Sequence, residues 1–335
     1  MNQPPAQKYL GLQDLRIIAA CLVLLTHSTF YVSERLDKSF PVWNRGTSGV
    51  DIFFVISRFV MIYSSRSLFA SVDGWKVFAE RRVARIVPLY WFATTLKLIV
   101  MLFSAGLVRH TRLSFAAAAY SYLFLPAANS DGEIRPVLGV GWTLNFEMFF
   151  YFFFTLALFF HANVYKFVGI ILTALAIGAY FRRPSWPPVA FYLDTIMLEF
   201  FFGMLIAKAC VAGKHLSRNL CLPLMAASLF VLLHSWPDWH VPKALLDGVP
   251  AAMIIWSAAS LGDGAKYIPR FVLYLADASY AIYLMHPMIA PLAPALLMRM
   301  HIIYAWISIA CSIILALAAG SIVHQMAKKS CAAAK

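Results

Sequence analysis

Apolar residues along this chain do not alternate with polar ones and do not recur on a single helical stripe. They come in long blocks, broken by short polar or proline-rich segments. Blocks of roughly 20 apolar residues cross the ~30 Å hydrocarbon core of a bilayer as helices. The pattern predicts ten such spans, at about 13–33, 48–66, 84–107, 139–160, 164–181, 189–209, 219–235, 244–261, 270–295 and 302–324. One further stretch, "LSFAAAAYSYLFLP" at 113–126, is too short to cross and reads as an interfacial or re-entrant piece. If it did cross, every later element would invert. The predicted fold is therefore all-α, a polytopic transmembrane helical bundle of about ten spans.

Composition strengthens this reading. Hydrophobic residues make up 61% of the 335 and charged residues only 13%, against roughly 45–50% and about 25% in soluble domains. No fixed-period repeat or linker marks a second domain, so 1–335 reads as one transmembrane domain without a separate soluble part. The net charge of +13 would suggest nucleic acid in a soluble protein. Here the basic residues sit at the ends of apolar blocks, where they set orientation instead, and no nucleic-acid partner is expected. Their bias, densest in "ERRVAR" before the third span, places the N-terminus inside, and ten crossings then put the C-terminus inside as well. Five scattered cysteines show neither a disulfide framework nor metal-ligand spacing. The first block lacks an A-x-A-like cleavage site and is expected to be retained.

Charges inside such blocks cost a few kcal/mol or more at the bilayer centre, so each calls for a partner or a task. Arg16 and His27 lie 11 residues apart in the first span, which returns to nearly the same helix face about 16 Å along the axis. Glu147, in "GVGWTLNFEMFFY", lies about 12 Å below the outer surface, a depth similar to that of His27. A carboxylate there suits the orientation of an imidazole base. Arg81, Arg82 and Arg85 gather before the third span, with Arg81 and Arg85 on one face, a cluster suited to phosphate. In the ninth span Ser279 and His286 face one way, and Pro287 removes the helical donor of the Tyr283 carbonyl. Bland readings compete with each of these: a snorkelling Arg16, a hydrogen-bonded interior His27, Glu147 in an ion pair with a buried arginine, arginines that only flank a span, and serine and tyrosine as interhelical glue.

Taken in order, "LRIIAACLVLLTH", "GVDIFFVISRFVM", "RRVARIVPLYW", "GVGWTLNFEMFFY" and "LADASYAIYLMHP" resemble the motifs of the membrane-bound acyltransferase 3 family, in particular its exopolysaccharide-production members. The resemblance runs from about residue 10 to residue 290. It implies a multi-pass enzyme of the bacterial inner membrane that takes an acyl group, usually acetyl, from cytoplasmic acyl-CoA to a sugar hydroxyl of a surface polysaccharide or lipid-linked glycan. Acyl-CoA is then a co-substrate, and no permanent cofactor or metal is expected. The resemblance implies that Arg16 and His27 are essential, with Arg81, Arg82 and Arg85 in support: Arg16 would meet the CoA end of the donor, and His27 would act as general base on the acceptor hydroxyl or carry the acyl group in a covalent acyl-histidine relay. Glu147 is the candidate that orients the base. Asp51, Trp142, Ser279, Tyr283 and His286 are expected to support the site or touch the acceptor.

Two departures stand out. Where the family usually has S-G-F, this chain has Ser57, Arg58 and Phe59, which puts a charge where glycine would allow close packing; Asp51 or Glu147 is its expected partner. Some relatives also carry a soluble esterase-like domain, for which this chain has no room, so the bundle is expected to handle the acceptor itself. Rival classes are a transporter or flippase of a glycan intermediate, using His27 and Glu147 as a proton relay, and a non-catalytic scaffold.

Overall fold

The computed structural model describes residues 11–103, 114–129, 131–236, 241–262 and 269–333. Twelve α-helices account for most of them, and no strand occurs among the described residues. The helices are α1 (Gly11–Arg35), α2 (Ser48–Ser65), α3 (Gly74–Phe103), α4 (Phe115–Tyr122), α5 (Trp142–Phe159), α6 (Val164–Gly178), α7 (Met197–Val211), α8 (Arg218–Leu233), α9 (Val249–Leu261), α10 (Arg270–Ile289), α11 (Leu292–Arg299) and α12 (Ala305–Ala333). Among the described residues, eight helical segments are long and apolar enough to cross a membrane. The shorter α7 and α8 correspond to the two remaining predicted spans.

The chain divides into two compact units, one formed by the chain up to Arg66 and from Leu198 onward, the other by Ser67–Met197. The first is organised around α1, which packs against α2, α9, α10, α11 and α12. Nothing interrupts α1, since no proline lies within it, and Asp14 in its first turn and Arg35 in its last complement its dipole. Its residues Ile17 and Ala20 meet Ala276, Ala278 and Ile282. Farther along, Leu24 and Tyr31 meet Ala290 and Ala316, and Val32 and Leu36 meet Ile309. Small residues at these seams let helices approach closely, as membrane bundles require.

The second unit pairs α3 with α5, α5 with α6 and α3 with α4. Phe78 and Phe154 stack at 4.5 Å, and Tyr90 lies 4.7 Å from Phe124 between ring centroids. The eight residues of α4 rise about 12 Å, too little to cross, in keeping with the re-entrant or interfacial reading. Ser121 ties α4 in place, donating to the Ala117 carbonyl and accepting from the Val137 N–H.

Several boundaries differ from the sequence expectation: α12 runs on to Ala333 rather than ending near 324, the expected 270–295 is divided between α10 and α11, and two helices start elsewhere. α3 begins at Gly74 rather than near 84, so Arg81, Arg82 and Arg85 lie within the helix; the last residues of the predicted third span, 104–107, fall outside the described residues. At about 45 Å α3 is longer than the hydrocarbon core is thick, which lets its arginine-bearing turns extend past it. α7 starts at Met197 rather than near 189, because Pro187 and Pro188 lead into a 3-10 turn and Asp194 accepts a hydrogen bond from the Ile196 N–H. Bulky side chains such as Phe152, Phe160, Ile170, Trp306 and Ile314 stay exposed, the outward apolar surface that lipid covers.

Candidate active site

The first unit brings together two of the histidines singled out above. His27 sits two-thirds of the way along α1, and its Nδ1 lies 2.9 Å from the Val23 carbonyl. A carbonyl can only accept, so Nδ1 carries the hydrogen and the lone pair of the neutral ring resides on Nε2. His286 of α10 stands 4.8 Å from His27 between ring centroids, edge to face. It is 1% exposed, and its Nδ1 donates across 2.8 Å to the Tyr283 carbonyl. That carbonyl is the one Pro287 leaves without a helical N–H donor, so the His-Pro pair both creates the vacancy and fills it. His286 Nε2 is buried and has no hydrogen-bond partner.

Around the pair lie Tyr31, 6.3 Å from His27, and Tyr283, which also meets Phe53 of α2 at 6.2 Å. Ser279, two turns before His286, is fully buried and its hydroxyl lacks a partner. Arg16 lies eleven residues before His27 on α1 and hydrogen-bonds Gln13 at 3.3 Å.

Of the charged cluster next to this site, sequence reasoning singled out Asp51 alone and missed its partners. The short strap Asn44–Thr47 leans on α1, and Gly46 makes that possible: a Cβ there would stand 2.4 Å from the Thr26 hydroxyl and 2.3 Å from the Leu22 carbonyl. Arg45 on the strap pairs with Asp247 at 2.9 Å, and Lys243 pairs with Asp51 at 2.8 Å. Glu199 of α7, fully buried, lies against Asp51. Burial alone would lower the Lys243 ammonium, but the Asp51 and Glu199 carboxylates outweigh it and hold it above its ordinary value. Asp51 thus finds its cation on the segment before α9 and not, as the sequence suggested, in Arg58. Lys243 and Asp247 lie outside every quoted motif, and only their charge within an apolar neighbourhood marked them.

Arg58 is fully buried, with its guanidinium 4.3 Å over the Phe200 ring. α2 and α7 still approach closely there, because the glycine is on the other helix. A Cβ on Gly203 would fall 2.4 Å from the Val55 carbonyl and 2.8 Å from Arg58 Cβ.

The second unit holds Arg81, Arg82, Arg85, Trp142 and Glu147. Arg81 and Arg85 are exposed, one turn apart on α3. Arg82 turns inward, 5.3 Å over the Phe78 ring and 5.9 Å from that of Tyr151. Tyr151 in turn donates from its hydroxyl to Glu147. Trp142 opens α5 and meets Phe146 edge to face at 5.9 Å.

A family model described as an acyltransferase domain matches residues 10–325. The exopolysaccharide production protein ExoZ of Rhizobium meliloti (strain 1021) is 34% identical over 264 residues, which cover 77% of this chain and 80% of that protein. No solved structure matches.

Proposed function

The chain belongs to the acyltransferase 3 family and is a multi-pass membrane acyltransferase, and we propose that it moves an acyl group, most simply acetyl, from acyl-CoA to a sugar hydroxyl of a bacterial exopolysaccharide. The observation that carries this reading is the tautomer of His27. With Nδ1 committed to Val23, the neutral ring keeps its lone pair on Nε2, in a half-buried position on α1. A neutral imidazole is the side chain best matched to taking a proton from a hydroxyl near neutral pH.

In this reading the acceptor oxygen attacks the thioester carbonyl as His27 Nε2 removes its proton, and the thiolate of CoA leaves. Arg16, on the helix that bears His27, supplies a guanidinium group for the phosphates of the donor, whose paired oxygens a guanidinium fork suits better than an ammonium does. The name of the R. meliloti relative supports exopolysaccharide as the acceptor class, and the inner membrane, where acyl-CoA and a growing polymer are both within reach, is the proposed location.

Structural analysis of the surface polysaccharide from cells with and without the gene tests the proposal. Loss of an acyl substituent at one sugar position is the expected result. Loss of polymer export with acylation unchanged would instead identify a transporter and refute it.

A further inference from the structure

The orphaned nitrogen of His286 is a polar atom beside His27 whose chemistry the proposed reaction does not use. Leaving a buried acceptor unpaired costs about 1–3 kcal/mol, and the structure holds this one in place by a deliberate device. Pro287 frees the Tyr283 carbonyl, His286 Nδ1–H occupies it, and the lone pair of the ring is thereby committed to Nε2, 1% exposed and partnerless. The ring whose centroid lies 4.8 Å away is His27, fixed in the same tautomer by the Val23 carbonyl. Two neutral imidazoles, each with its Nδ1–H tied to its own helix and its lone pair on Nε2, have capacity for one further proton between them.

We propose that His286 is a second catalytic histidine, whose Nε2 receives the proton that His27 takes from the acceptor hydroxyl and returns it to the departing thiolate. The inference rests on the acyl-transfer reading above. The proton balance closes. The acceptor O–H breaks and its proton passes to His27 Nε2 while the carbon–oxygen ester bond forms. The carbon–sulfur bond breaks with its electron pair on sulfur. The proton moves from His27 to His286 Nε2 and then to sulfur, giving the free thiol, and both rings end neutral. The arrangement keeps the proton away from the acceptor oxygen while the ester forms, and it explains why a buried nitrogen is left without a partner in the resting protein.

The test uses the full-length protein in lipid nanodiscs, with acetyl-CoA and a polysaccharide acceptor. His286→Ala should lower kcat on the order of a hundredfold with KM for the donor little changed. Added imidazole should restore a large part of the rate, whereas pyrazole, of the same shape but far less basic, should not. His286→Gln, which still offers a donor to the Tyr283 carbonyl but has no basic nitrogen, should fold as the wild type does and be as slow as His286→Ala. Wild-type kcat in either variant would overturn the proposal, as would equal rescue by imidazole and pyrazole, which would mark a space-filling role. If the wild-type protein itself formed no ester, the acyl-transfer reading would fail and the relay with it.

Discussion

Arg16 and His27 share one helix and one face, yet their chemistry differs, and variants should separate them. Arg16→Ala should weaken acyl-CoA binding, with Arg16→Lys recovering part of it, because an ammonium keeps the charge and loses the bidentate fork. His27→Ala should leave donor binding intact and abolish transfer, a fall on the order of a hundredfold or more. Donor binding by calorimetry and transfer by product analysis, measured on the same purified variants, resolve the two. Equal loss of binding in both would remove the division of labour.

At this scale the sequence was most informative about residues that break a rule. Arg16, His27, Glu147 and His286 each put a polar group where lipid or core should be, and His286 came with a proline that advertised the vacant carbonyl. Lys243 and Asp247 could not be read in the same way. Lys243, just before an apolar block, looks like an ordinary flank, and although Asp247 falls inside that block, only the return of the chain to α2 and α7 shows that these two face Asp51, Glu199 and Arg45.

Among the elements, the contact of α2 with α7 carries the departure at Arg58. If Gly203 is what admits that side chain, Gly203→Ala should destabilise the protein by about 1–3 kcal/mol, the usual cost of overpacking, visible as a lower midpoint of thermal unfolding. Gly139→Ala, which meets nothing within 4 Å, is the control and should be near neutral. A glycine was expected at 58 and stands at 203, so the close seam was legible as a need but not as a position. No pattern within a single helix can say which of two partners yields the space.

The charged cluster joins the strap, α2, α7 and the segment before α9, and its members should respond unequally. Lys243→Met strands the fully buried Asp51 carboxylate. Its cost should be appreciable, though below the roughly 3–5 kcal/mol of a fully buried pair, because Lys243 is 40% exposed. Glu199→Gln replaces a carboxylate facing Asp51 with a neutral amide that can donate to it, and should leave stability unchanged or raise it. Thermal unfolding of both variants in the same detergent checks the order, and a Glu199→Gln loss as large as that of Lys243→Met would contradict it.

For the whole molecule, the all-helical class and the approximate number of spans were legible because hydrophobic blocks of span length admit few alternatives. The ends were not, since proline turns and arginine-bearing helical extensions shift a boundary by ten residues without changing the block. Topology follows from the count of crossings. With ten, a periplasm-dependent reporter fused after Lys335 should be inactive, and activity there would mean that α4 or its neighbourhood crosses after all.

The division into two units also imposes an order on synthesis. α1 and α2 emerge first, yet the helices that enclose them, α7 to α12, follow only after the intervening Ser67–Met197. At roughly 5–20 residues per second, those 131 residues occupy the ribosome for about 7–26 s. During that interval Arg58 has been threaded into the membrane before Phe200 exists to cover it. The nascent protein must therefore keep a guanidinium sheltered, at the insertion machinery or against water, for many times longer than a helix needs to form. A chain stalled before α7 should accordingly be held by the insertion machinery or degraded, whereas one stalled just after α7 should already have a place to put its arginine.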